Sequence, residues 1–94
     1  EGDNLKQPRK INHWVNFRNN NRRQRFIEEA KKLKFAVDSL KVDPKGYYRY
    51  RAVISRKDSV KPEIIVNLSK LMMKFTAAYS GVYNGWHSEP VIED

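Results

Sequence analysis

Few residues in this sequence could carry out bond-making chemistry. His13 and His87 are its only histidines, and it has no cysteine. Nucleophilic catalysis needs a hydroxyl or thiol held beside a base. The thiol is absent, and period-two alternation turns both imidazoles toward the inner faces of neighbouring strands, where they read as structural or hydrogen-bonding groups. A histidine-only metal site needs a third ligand, and no spacing supplies one. Glu28 and Glu29 are adjacent on a helix, so their carboxylates diverge. With four glycines in the whole chain, there is no glycine-rich phosphate loop. The residues point to a protein that binds rather than catalyses, with no cofactor and no metal.

The aromatic and basic residues are more informative. If the first and last strands are neighbours, Trp14 and Trp86 share one sheet face with Asn16, Asn84, Tyr47, Arg49 and Arg51. Three uses are open for such a face. The indoles can pack on each other and on arginine stems. They can anchor a protein partner, as Trp, Tyr and Arg commonly do. They can also stack nucleobases while arginines meet phosphates, although the aromatic signatures of ribonucleoprotein sheets are lacking on strands one and three. A second feature is the basic run containing Arg18, Arg22, Arg23 and Arg25, followed by Lys31, Lys32 and Lys34, against only Glu28 and Glu29. Cations in a first helical turn oppose the helix dipole at a cost of about 0.3–1 kcal/mol each. The run is either a solvated face or a docking patch for acidic protein or RNA.

The elements that must position these residues follow from periodicity. Ile11, His13, Val15 and Phe17 alternate with Asn12, Trp14, Asn16 and Arg18, which is the pattern of a strand with one buried face. Asn21 and Gln24 resemble a capping box, so a helix is expected from Arg22 to Leu33, with Phe26, Ile27, Ala30 and Leu33 inward. Phe35–Val42 and Tyr47–Arg56 read as strands joined through the turn cluster Asp43–Gly46. Pro62 and Glu63 suit a helix start. The stripe Ile64, Leu68, Leu71, Phe75 and Ala78 follows, widened by Ile65, Met72 and Tyr79. Gly81 stands where a left-handed cap would end that helix. Val82–Glu89 closes the series as a strand. The order strand, helix, strand, strand, helix, strand predicts an α+β, ferredoxin-like domain with both helices on one face of a four-stranded antiparallel sheet. Right-handed crossovers put strands one and three at its centre.

Residues 1–10 are expected to form a flexible arm, 11–89 the single domain and 90–94 a tail. The 94 residues carry a net charge of +8, which favours acidic partners. No apolar run approaches the roughly 20 residues of a membrane span, so no membrane partner is expected. The absence of cysteine fits a reducing compartment, and a cytoplasmic location is expected. The chain opens at Glu1 rather than Met, so trimming of the natural N-terminus is expected.

Four segments, in order, resemble the regulator of ribonuclease activity B family, the ribonuclease E inhibitors. The strand SGVYNGWHSE resembles a C-terminal Tyr-Asp-Gly-Trp signature. KQPRKINHWVNF resembles the family's first strand, with a Pro-Arg element leading into His-Trp. RFIEEAKKLKFAV resembles its first helix and second strand, and ISRKDSV its link into the second helix. Together they span residues 4–89. The resemblance implies a ferredoxin-like, non-catalytic protein that binds an endoribonuclease and alters its activity and assembly. A protein partner, specifically a ribonuclease, is therefore expected, with single-stranded nucleic acid on the open sheet as the alternative. The chain departs from the family in three ways: it is basic where well-known members are acidic, Asn84 stands in place of Asp, and Lys34 in place of a helix-ending Gly.

Overall fold

Alternate side chains on the first strand organise the molecule. In the computed structural model, which describes residues 8–88, Ile11, His13, Val15 and Phe17 are all completely buried. They lie on β1 (Arg9–Phe17). The chain continues through α1 (Asn20–Lys32), β2 (Ala36–Val42), β3 (Tyr50–Asp58), α2 (Pro62–Ala78) and β4 (Val82–Ser88). The sheet order is β2-β3-β1-β4, and every pairing is antiparallel. This is the expected ferredoxin-like arrangement, with β1 and β3 central. Arg9 and Lys10 belong to β1 rather than to an arm. The rest of the expected arm up to Gln7, and the tail from residue 90, lie outside the described residues.

The core is a layer between the sheet and the two helices. Ile11, Val15 and Phe17 of β1 meet Ala52 and Ile54 of β3, Phe26, Ile27 and Ala30 of α1, and Ile65, Leu68 and Met72 of α2. Phe26 is its aromatic centre, 4.5 Å from the ring of Phe75 and 5.0 Å from that of Phe17. Burying side chains of this size contributes about 1.5–3 kcal/mol each. In α2 the inward set is Ile65, Leu68, Met72 and Thr76. The expected stripe is therefore rotated, and Ile64 and Leu71 are exposed. Hydrophobic spacing finds a helical stripe, but a helix this apolar all round leaves its rotation to the shape of the sheet beneath.

Helix ends also differ from expectation. The Asn19 side chain, not that of Asn21, caps α1 by accepting from the Arg22 amide at 3.0 Å. Both helices end in the same motif. Phe35 N–H donates to Ala30 and Lys34 N–H to Lys31; Gly81 N–H donates to Thr76 and Ser80 N–H to Ala77. In each, the residue one before the last takes the left-handed conformation: Lys34 at φ 74° and Ser80 at φ 60°. This is a Schellman closure built twice without glycine. Gly81 is thus not the left-handed residue. It is small because a Cβ there would lie 2.6 Å from Phe17 Cδ1 and 2.9 Å from the Asn16 carbonyl oxygen.

Both outer strands carry an irregularity. On β2 the register steps past Asp38, between Val37 opposite Ile54 and Ser39 opposite Val53. On β4 the register shifts between Trp86 opposite His13 and Tyr83 opposite Val15, so Asn84 and Gly85 together face Trp14. Gly85 has φ 112°, which glycine adopts without steric penalty.

Two substitutions test this account. Lys34→Gly should raise stability by about 1 kcal/mol, because it relieves a side chain in the left-handed region. Gly81→Ala should cost about 1–3 kcal/mol by overpacking against Phe17. Denaturant titration reads both, and a neutral Gly81→Ala would contradict the close approach.

Candidate functional site

The bulge on β4 redistributes the residues expected on the open sheet face. Directly opposed residues on antiparallel strands share a face. Trp86 faces His13 across the ladder, and His13 is on the helix side. Trp86 therefore lies on the helix side, 39% exposed, and not beside Trp14. His87, expected inward, pairs with Asn12 on the open face and is exposed. One extra residue in a strand reverses the side of every residue after it.

The remaining open-face residues divide into two groups. Trp14 is half-buried, with Val53 opposite it on β3. Arg51 lies opposite Asn16 and pairs with Asp43 at 3.5 Å. Asn84 Nδ2 donates to Asn16 Oδ1, and Asn16 Nδ2 donates to the Tyr48 carbonyl at 3.1 Å. The Asn16–Asn84 pair thus holds the β2–β3 connection. Asn84 supplies a donor that an aspartate could not. Tyr47 and Arg49 belong to this connection, because β3 begins only at Tyr50. They line a cleft of about 410 Å³ with Arg18, Asn19, Gly46 and Tyr50 at the end of the sheet.

The basic run separates similarly. Arg23 is buried. Its guanidinium donates to the carbonyls of Lys41 and Arg51, each at 3.0 Å, and to Asn20 Oδ1 at 3.0 Å. It ties α1 to the β2–β3 pair and is not part of a docking surface. Arg18, Arg22 and Arg25 are exposed. Sequence reasoning could not single out Arg23, since its carbonyl partners lie on strands far along the chain.

His13 is fully buried and faces Tyr83, with Nδ1 2.9 Å from the phenol oxygen. Burial pushes its pKa down to about 4; Asp58 opposes the shift and Arg56 reinforces it. Burial pushes the Tyr83 phenol up to about 12, with the Ser69 hydroxyl opposing the shift. Ser69 donates to the Ile65 carbonyl at 2.9 Å. Donation from His13 Nδ1–H to the Tyr83 oxygen is the direction that avoids an orphaned buried N–H. It leaves Nε2, which is buried without a partner, as a bare acceptor rather than an orphaned donor. The His13–Tyr83 bond ties β1 to β4. His13 and Tyr83 stand 70 residues apart in sequence, so spacing gives no hint of it.

Sequence reasoning also missed the exposed apolar surface of α2. Leu71 and Met73 are each 57% exposed, and Ile64 and Val66 are exposed too. Seven-residue spacing groups them into two stripes, Ile64–Leu71 and Val66–Met73. The first borders a groove of about 310 Å³ lined by Leu33, Phe35, Leu71, Met72, Phe75 and Lys74. The second lies beyond Ser69, toward β4. Among the described residues, no group of three His, Asp or Glu side chains could hold a metal ion. No helix among them is long and apolar enough to cross a membrane.

A ferredoxin-like sheet with two apolar stripes on one helix and a basic corner has surfaces suited to contact with other macromolecules. The family model for regulator of ribonuclease activity B matches residues 1–88, and the chain belongs to that family. Its members are regulators of ribonuclease activity rather than catalysts. No curated protein matches the chain closely enough to add a relative.

The His13 pKa sets a pH dependence. Above pH 6.5 the imidazole is neutral in both states and costs nothing. As pH falls from 6.5 toward 4, the unfolded chain takes up a proton that the folded one refuses. Stability therefore falls across this window, by an amount approaching roughly 3 kcal/mol below it. Thermal melts of the native chain and of His13→Gln should diverge in slope between pH 6.5 and 4, with the variant flatter. Parallel curves would mean that His13 takes up its proton in the folded state.

Proposed function

We propose that this chain regulates a ribonuclease by non-covalent protein–protein contact, and that helix α2 supplies the docking surface. One observation carries the reading: Ile64 and Leu71 of α2 stand exposed at an apolar groove, which Leu71 itself lines. Contiguous exposed apolar surface on a small domain usually marks an interaction site. Leu33, Phe35 and Phe75 give the groove a wall able to take an aliphatic or aromatic anchor. Lys74 lines the groove, and Lys70 follows on the same helix. The surface therefore fits a partner segment with apolar anchors flanked by acidic residues. Regulation then follows from occupancy, because a ribonuclease or a component of its assembly held on α2 loses or changes a contact it would otherwise make.

A second reading keeps the open sheet as the docking face, with Trp14 at its centre and Arg51, Asn16 and Asn84 around it. Trp14 favours it, as an indole half-buried on a face that neither helix covers. It is the weaker reading, since Trp86 lies on the other side and the Asn16–Asn84 pair is engaged in holding a loop.

The two readings separate by mutation. Leu71→Glu and Met73→Glu change only exposed positions, so both variants should keep the native melting temperature within a few degrees. Leu71→Glu, at the groove, should weaken capture of the ribonuclease by tenfold or more, as measured by surface plasmon resonance, while Met73→Glu, on the other flank, and Trp14→Ala leave capture unchanged. Loss of binding in Trp14→Ala alone would transfer the site to the sheet.

A further inference from the structure

We infer that the corner where β1 meets α1 binds single-stranded RNA through its phosphodiester backbone. The observation is a cluster of arginines that the protein itself leaves unneutralised. Among the described residues, four cations meet carboxylates, Lys10 with Asp38, Lys32 with Glu29, Arg51 with Asp43 and Arg56 with Asp58, and the unpaired lysines do not line the two clefts at this corner, whereas four arginines do. Arg18, Arg22, Arg25 and Arg49 have no such partner. Arg22 donates instead to Ser80 Oγ at 2.9 Å, Arg18 lies 4.6 Å over the ring of Tyr47, and Arg49 has a buried Nε without an acceptor. Like charges gathered this way repel, and they persist where an anionic ligand relieves them.

Shape supports the choice of ligand. Two clefts adjoin at Asn19. One, of about 410 Å³, is bordered by Arg18, Arg49 and Tyr47; the other, of about 230 Å³, by Arg22, Arg25 and Asn21. A polyanion with regularly spaced charges can occupy both in succession. Guanidinium forks match phosphate oxygens in a bidentate manner. Tyr47 is 62% exposed and stands edge-on to Tyr48, 5.0 Å away. Such a ring is available to stack a base. The second cleft is bordered only by amide and guanidinium side chains, which suits phosphate and sugar better than the apolar anchors of a peptide. With no base-specific pocket formed, recognition would be largely independent of sequence. This site is separate from the α2 surface and does not depend on the docking reading.

The test is fluorescence anisotropy of a labelled ten-nucleotide RNA against salt concentration. The full chain should bind at low salt. Arg18→Ala/Arg49→Ala should weaken binding at least tenfold and lower the slope of log affinity against log salt by about 1.4, or 0.7 for each lost phosphate contact. Tyr47→Ala should weaken binding about fivefold or more, and Tyr47→Phe should restore it. Lys31→Ala/Lys57→Ala removes the same charge elsewhere and should change affinity by less than threefold. Equal weakening by both double variants would reduce the effect to net charge and overturn the proposal. So would absence of RNA binding at low salt, or tighter binding of a ten-residue polyglutamate to the same arginines, which would make the corner a seat for acidic protein.

Discussion

Four alternate side chains of β1, Ile11, His13, Val15 and Phe17, are sealed from solvent, and both helices rest on them. Phe17 meets Phe26 of α1 and leaves room at its edge only for the hydrogen of Gly81. His13 holds Tyr83 of β4. Because β1 is central, this one row fixes where both helices lie, which flank of α2 faces outward and how the chain after α2 returns to the sheet. A polar member in the row is costly to bury unless it is bonded. The hydrogen bond to Tyr83 meets that condition at Nδ1, at the expense of keeping the imidazole neutral.

Much of the fold was legible in the sequence because its alternation and spacing are strong. The inward set on β1 was read correctly, as were the element order, the central strands and the placement of both helices on one face. Three features were not legible, each for a physical reason. Trp86 was read on the open face because strict alternation was carried through Gly85. A lone glycine in a strand can signal a bulge, and here it does. Tyr47 and Arg49 were read into β3 because tyrosines have strand propensity, but Asn16 holds the Tyr48 carbonyl and keeps that segment in the connection. The rotation of α2 does not follow from spacing, because nearly every turn of that helix offers an apolar candidate.

Of the candidate site residues, Trp14, Asn16, Arg51 and Asn84 lie together at the open face, and Arg18, Arg22 and Arg25 are exposed near the start of α1. Arg23 differs from its neighbours only in the company its guanidinium keeps, two strand carbonyls reached across the core. The two proposed surfaces lie at opposite ends of α1: the arginine corner at its start, the apolar groove beside Leu33 at its end. A helix of 13 residues is about 20 Å long. On the two proposals together, that separation would keep a bound protein and a bound nucleic-acid strand from blocking each other.

The irregular registers of β2 and β4 have a consequence for the molecule in a crowded solution. These are the two outermost strands, and each would otherwise offer a straight row of unpaired amides and carbonyls as a template for another chain. A bulge bends that row and breaks its repeat. With so much apolar surface left bare on α2, a flat border would invite uncontrolled polymerisation. Interrupting both borders confines stickiness to the helix, where association can be specific and reversible.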